Sequence, residues 1–202
     1  MARLFNRNFI VGVTGSIAAY KAAELTRSLI REGANVRVIM TEGACEFITP
    51  LTLQALSGHE VHTDLLDTEA EAAMGHIELA RWADALLIAP ASADSIARLV
   101  QGRADDLLGA CALATPAPVF VAPAMNQEMW TKQATQDNVQ TLVSRGIAML
   151  GPSSGTQACG DVGAGRLLEP DDIVSAVAEH LSTGALSGCL LYTSDAADDS
   201  GC

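Results

Sequence analysis

From Asn8 to Thr14 the chain runs through the apolar stretch Phe9-Ile10-Val11-Gly12-Val13 and breaks at Gly15-Ser16. Ala18, Ala22, Leu25 and Leu29 then recur at helical spacing as far as Gly33. A strand, a tight turn and a helix with a glycine stop are predicted. Asn35 to Met40, rich in β-branched residues, predicts a second strand, and the right-handed βαβ unit so formed implies a parallel sheet. Thr49 before Pro50 fits an N-cap with proline at the first helical position, and that helix should stop near Gly58. Two further apolar runs, Ala85 to Ala89 ended by Pro90 and Val119 to Ala122 ended by Pro123, read as strands buried on both faces. Helical patterns fill Asp94 to Val100, Asp106 to Ala114 and Gln133 to Arg145, the last closed by Gly146 before a short strand at Ala148 to Leu150. Asp171-Asp172 opens a helix through His180, with its acids at the positive end of the dipole. The polar stretch up to Gly75 yields no element. The fold class is α/β, an open parallel sheet in three layers.

Composition narrows the function. The 202 residues are 49% hydrophobic and 18% charged, one domain's worth of material with a sizeable core. Beyond about Thr183 periodicity is lost, so a domain over 1–182 and a disordered or non-native tail over 183–202 are expected. Twelve Lys and Arg against 24 Asp and Glu leave a net charge of -12, which repels nucleic acid. No apolar run is long enough for a membrane span and the first residues lack the core of a signal peptide, so a cytoplasmic protein is expected. The five cysteines, Cys45, Cys111, Cys159, Cys189 and Cys202, include no C-x-x-C pair. They read as free thiols, and no metal site is expected.

In an open α/β sheet, ligands bind beyond the carboxyl ends of the strands. Three loops fall there: Thr14-Gly15-Ser16-Ile17, the segment from Pro90 to Ser95, and Pro123-Ala124-Met125-Asn126. The first can aim backbone N–H groups and the Ser16 hydroxyl at a phosphate on a helix N-terminus, with Ser92 and Ser95 reinforcing it. Neither G-x-x-x-x-G-K-[ST] nor G-x-G-x-x-G is present, which disfavours an NTPase or an ordinary dinucleotide site. His76, just after Gly75, is of the side-chain type suited to proton transfer near neutral pH, although a lone histidine is more often structural. Asn126 can cap a helix or donate its amide to a substrate carboxylate. Between Gly155 and Arg166, four glycines surround Cys159, a composition that predicts neither helix nor strand and puts the thiol on a mobile lid or clamp. Arg166 can fork onto a carboxylate or phosphate, or make an ordinary surface ion pair.

Four motifs then stand in order: Gly12-Val13-Thr14-Gly15-Ser16-Ile17-Ala18-Ala19-Tyr20-Lys21, Met74-Gly75-His76-Ile77-Glu78-Leu79, Pro123-Ala124-Met125-Asn126, and the run from Ala158-Cys159-Gly160-Asp161 to Gly165-Arg166. Together they resemble the homo-oligomeric flavin-containing cysteine decarboxylases. The likeness is to phosphopantothenoylcysteine decarboxylase, in the form found as the N-terminal half of bacterial bifunctional coenzyme A biosynthesis proteins, and covers about residues 5 to 182. The resemblance implies a Rossmann-like flavoprotein fold, trimers or multiples of trimers, and FMN at a subunit interface. It also implies decarboxylation of 4'-phosphopantothenoylcysteine to 4'-phosphopantetheine through transient oxidation of the substrate thiol. His76 matches the family's active-site histidine, Asn126 its substrate-carboxylate asparagine, and Cys159 its proton donor on a substrate clamp that includes Ala158, Gly160 and Arg166. Gly15, Ser16, Ile17, Thr41, Phe47, Ser92, Ala93, Asp94 and Ser95 fall on flavin-contacting stretches.

Two departures limit what carries over. The second, ligase domain of the bifunctional proteins is absent, so no ligase activity is expected from this fragment. Asp105 stands where relatives often carry Asn, and an extra negative charge there would disfavour an anionic flavin if it faced the ring. The competing readings are a non-catalytic FMN-binding regulatory module, a flavin prenyltransferase that would not need Cys159 and, more distantly, an NAD oxidoreductase.

Overall fold

The structure, a computed structural model, describes residues 2–65 and 75–186. Six strands form one sheet: β1 (Asn8–Val13), β2 (Asn35–Met40), β3 (Val61–His62), β4 (Ala85–Ala91), β5 (Val119–Pro123) and β6 (Ala148–Met149). They pair in the order β3-β2-β1-β4-β5-β6, every pair parallel. Side chains alternate across this sheet because successive residues of a strand point to opposite faces. Phe9, Val11 and Val13 face one core, shared with α1 (Lys21–Arg31), α2 (Glu42–Cys45), α3 (Pro50–Ser57) and α9 (Pro170–Leu186). Ile10, Leu86 and Ile88 face the other, shared with α4 (His76–Trp82), α5 (Ala93–Gln101), α6 (Leu107–Ala114) and α8 (Gln133–Ser144). Each buried Leu, Ile or Val contributes about 1.5–3 kcal/mol of transfer free energy, so the three layers hold one another.

Strand order reverses between β1 and β4, and the loops after these strands diverge to opposite faces there, opening a crevice. Buried Thr14 stitches its two lips together. Its backbone N and Oγ1 both donate to the Pro90 carbonyl, at 3.2 and 2.8 Å, and Oγ1 accepts from Ser92 N at 2.9 Å. At Gly15 a Cβ would come within 3.2 Å of the Gly43 backbone, so the loops after β1 and β2 can approach this closely only with glycine present.

The predicted α3 is borne out in detail: Pro50 opens it after Thr49, and Gly58 closes it in the left-handed region at φ 73°. Elsewhere the structure departs from the sequence reading. The helix expected from Ala18 begins as a 3-10 turn over Ile17–Tyr20, because Ser16 Oγ accepts from Ala18 N and Ser16 O accepts from Ala19 N. Strand β4 continues past Pro90 to Ala91, with its register against β5 shifting between Ile88 and Ala91 where proline has no N–H to give.

The expectation that the glycine-rich segment forms no strand is wrong. Ser153–Thr156 (β7) and Val162–Arg166 (β8) pair as an antiparallel hairpin, leaving only the tip as loop. Glycine weakens a lone strand, but here it admits close neighbours, as described below. The segment before Gly75 yields the short edge strand β3, and α4 had no counterpart in the sequence reading. The last helix does not stop at His180 but runs on to Leu186, beyond the boundary expected near 182. Met74, Cys189, Cys202 and the rest of the tail lie outside the described residues.

Candidate functional site

A cavity of about 630 Å³ opens at the carboxyl ends of β1, β4 and β5. That volume is within the range of small-molecule and cofactor sites. Gly15, Ser16, Ser92 and Ala93 line it at the crevice, Ile17, Met125 and Met129 supply apolar wall, and Lys21 enters from the start of α1. The hairpin closes the open side through Thr156 to Cys159 and Gly165 to Leu167. Ser16 and Ser92 are both N-caps. Ser92 Oγ accepts from Ser95 N at 3.2 Å and lies 3.0 Å from Ser95 Oγ; Ser92 lines the cavity, whereas Ser95 stands behind it without lining it.

Asn126 caps a helix, as its sequence position allowed. Its Oδ1 accepts from Glu128 N at 2.8 Å, capping α7 (Gln127–Thr131), and this fixes the rotamer so that Nδ2 points to the hairpin tip. There Nδ2 lies 3.3 Å from Cys159 Sγ and donates to Asp161 Oδ2 at 3.0 Å; the Cys159 thiol donates to the same oxygen at 3.2 Å. Accepting from both the Asn126 amide and the Cys159 thiol holds the Asp161 carboxyl below the ordinary carboxylate range.

The hairpin is docked by its glycines and by Gln157. Gln157 Oε1 accepts from Gln127 N at 3.0 Å, and Nε2 donates to the carbonyls of Met125 and Ala164 at 3.4 and 3.3 Å. Met125 N donates to Gly165 O at 2.9 Å. A Cβ at Gly165, whose φ is 135°, would collide with the Met125 carbonyl, and one at Gly163 would collide with the Gln127 side chain. At the mouth, Lys21 Nζ meets Glu169 Oε1 at 2.7 Å and Arg166 approaches the same oxygen at 3.8 Å.

Several predicted site residues lie apart from this cavity. Asp94 is exposed and pairs with Arg98 Nε at 2.8 Å. Thr41 is the half-buried N-cap residue of α2, and Phe47 follows that helix half-exposed. His76, half-buried, is the first residue of α4, which packs against α6; its carbonyl accepts from Cys111 Sγ at 3.6 Å, and burial pushes that thiol up to about 12. Gly160 turns the hairpin tip without lining the cavity. Asp105 does not line it either and is engaged by Arg103 and Arg98. Residues that the sequence reading did not assign are Lys21, Met125, Met129, Gln157 and Asp161. All but Met129 stand inside or beside the quoted motifs, yet only the folded hairpin shows what they touch.

The Flavoprotein family matches residues 3–182. The chain belongs to the flavoprotein family. Among curated flavoprotein relatives, the coenzyme A biosynthesis bifunctional protein CoaBC of Haemophilus influenzae is 57% identical over 180 residues, covering 89% of this chain and 45% of that protein. The chain thus spans about half the length of the curated relatives it matches. Among solved structures, a cysteine-to-serine mutant of PPC decarboxylase complexed with pantothenoylaminoethenethiol superposes with a TM-score of 0.77 at 32% identity, over 88% of this chain and 99% of that one. The FMN binding protein AtHal3 superposes at 0.72 and 32% identity, over 91% and 99%. The six-stranded parallel sheet with helices on both faces is the Rossmann-like architecture expected of a flavoprotein.

Proposed function

We propose that this chain catalyses FMN-dependent decarboxylation of 4'-phosphopantothenoylcysteine to 4'-phosphopantetheine in coenzyme A biosynthesis. The observation that carries the reading is the meeting of Asn126 and Cys159, 33 positions apart in sequence, on the rim of one cavity at the point where strand order reverses. The names of the CoaBC relatives and of the PPC decarboxylase structure support it.

The residues present fit FMN. Gly15 and Ser16 before the 3-10 turn, and Ser92 and Ser95 at the start of the nine-residue α5, offer N–H groups and hydroxyls suited to a phosphate. Ile17, Ala93 and the methionines offer apolar surface for a flat ring. When bound, FMN supplies the two-electron oxidation of the substrate thiol that makes loss of carbon dioxide accessible, and returns the electrons afterwards. The protein does the rest. Asn126 Nδ2 donates to the substrate carboxylate and orients it, Arg166 and the backbone at Ala158 hold the substrate, and the hairpin tip turned by Gly160 screens the reacting carbon from water. After carbon dioxide departs, the Cys159 thiol gives its proton to that carbon.

His76 orients or deprotonates the substrate thiol from a neighbouring protomer, in a trimer or a multiple of trimers whose interface also brings Thr41 and Phe47 toward the flavin. Its position on α4 away from the cavity supports this reading, as do the exposed Ile77 and Leu113 on α4 and α6. The decarboxylase unit occupies 1–182 and works in the cytoplasm. Among the described residues no helix is long and apolar enough to cross a membrane.

The test is a visible spectrum followed by single turnover. Yellow protein that releases one carbon dioxide per site is expected, and Cys159→Ser should still release it while accumulating the oxidised ene-thiol. Bound FMN with no carbon dioxide release would overturn the proposal in favour of a non-catalytic module.

A further inference from the structure

We propose that Gln157 is a positioning residue for the second half of this reaction: its side-chain amide pins the hairpin tip to the start of α7 and so keeps Cys159 at the cavity once substrate has claimed Asn126. The inference rests on the decarboxylase reading and deepens it. The half-buried Gln157 side chain joins three segments. Oε1 accepts from Gln127 N at 3.0 Å, while Nε2 donates to the carbonyls of Met125 at 3.4 Å and Ala164 at 3.3 Å. Gln127 is the first residue of α7, so its N–H has no acceptor within the helix, and Gln157 supplies one. Serving all three partners takes one acceptor and two N–H donors at the end of a long side chain; glutamate lacks the donors and asparagine is a methylene shorter. The Gln157 backbone also closes the tip. Its N donates to Asp161 O at 2.8 Å and its O accepts from Gly160 N at 2.9 Å, and Cys159 rides on the turn so formed.

The other ties of the ribbon differ in what substrate does to them. Its base is held by backbone, Met125 N donating to Gly165 O at 2.9 Å. At its tip, Asn126 Nδ2 donates to Asp161 Oδ2 at 3.0 Å and lies 3.3 Å from Cys159 Sγ. In the proposed reaction that amide turns to the substrate carboxylate, so the tie to Asp161 is given up as substrate binds. The bonds of Gln157 use neither Asn126 nor any charged group, and substrate does not compete for them. Conversely, Asn126 is aimed by its own cap, Oδ1 accepting from Glu128 N at 2.8 Å, and not by Gln157. Loss of the pin therefore frees the thiol but leaves the amide in place. The carboxylate is still oriented and carbon dioxide still leaves. In the second half the ene-thiol takes a proton from Cys159 and regains the two electrons held on the cofactor: the S–H bond breaks, a C–H bond forms, and the sulfur recovers a proton from solvent. That half fails when the thiol wanders.

Hydrogen exchange on the as-purified protein reads the pin without turnover. Gln157→Met, similar in length but without the amide, should make the Gln127 amide exchange at least about tenfold faster, with β1 and β4 unchanged. In single turnover the same variant should release carbon dioxide at about the parental rate but reduce the ene-thiol about tenfold more slowly. Gln127→Pro removes the partner N–H from the other side, at a first helical position that tolerates proline and after an Asn126 whose ψ of 148° suits one. It should slow the same half, and the double variant should be no slower than the worse single variant. Unchanged exchange at Gln127, equal slowing of both halves, or losses that multiply in the double variant overturn the proposal. Faster exchange at Gln127 in Gln157→Met, when the parent protein releases no carbon dioxide, supports the pin and rejects the decarboxylase reading, so the two fail separately.

Discussion

Thr14 has one hydroxyl and uses it twice, as donor to the Pro90 carbonyl and as acceptor from Ser92 N, so a single side chain sets the spacing of the two loops that flank the crevice. Replacing it with valine keeps the shape, leaves the Ser92 N–H without this acceptor and reduces the Pro90 carbonyl to the backbone N–H of residue 14 alone. Thr14→Val is expected to lose roughly 1–3 kcal/mol of stability in urea unfolding and to weaken FMN binding along with it. A variant as stable as the parent would show that these bonds are remade with water. The residue reads as ordinary in sequence, one threonine after a strand, because its partner Pro90 is 76 positions away. Asn126 is the opposite case. Its capping function was readable beforehand, since an asparagine at that place presents a side-chain oxygen to the helix that follows whatever its amide later meets.

At the scale of elements, the hairpin of β7 and β8 is the feature that sequence patterning misjudged. Glycine content argues against a strand when a strand is considered alone. Here the absence of Cβ at Gly163 and Gly165 lets the ribbon lie against Gln127 and the Met125 carbonyl, and these contacts exist only after β5 and α7 are in place. Gly165→Ala combines a left-handed φ with a backbone collision and should undock the hairpin while leaving the sheet folded. Hydrogen exchange should then show the Met125 amide, which donates to Gly165 O, exchanging at least tenfold faster with β1 and β4 unchanged, and turnover should fall. Unaltered protection at Met125 would mean the hairpin can shift without cost. By contrast, α3 was legible to the residue, because Thr49-Pro50 and Gly58 act on their own backbone and need no distant partner.

For the whole molecule, the cavity holds Asn126 and Cys159 but not His76, which sits on α4 in the layer packed against α6. A shared site predicts complementation. Co-expressed His76→Asn and Cys159→Ser chains, each inactive in completing the reaction, should form mixed trimers with about a quarter of wild-type activity, the statistical share of interfaces that pair an intact histidine with an intact cysteine. Activity no higher than either variant alone would place each site within one chain.

The alternation of apolar strands with amphipathic helices determined the α/β class and the parallel sheet by itself, because burying both faces of every strand leaves no other use for such runs. The motifs carried the family and its candidate residues. Tertiary structure alone decided which loops meet at the reversal of strand order, that the glycine-rich clamp is a ribbon, and that Asp161 faces both the thiol and the amide. The meeting of the loops, the docking of the ribbon on Gln127 and the contact of Asp161 with Asn126 each join groups 30 or more positions apart, and local patterning has no access to them.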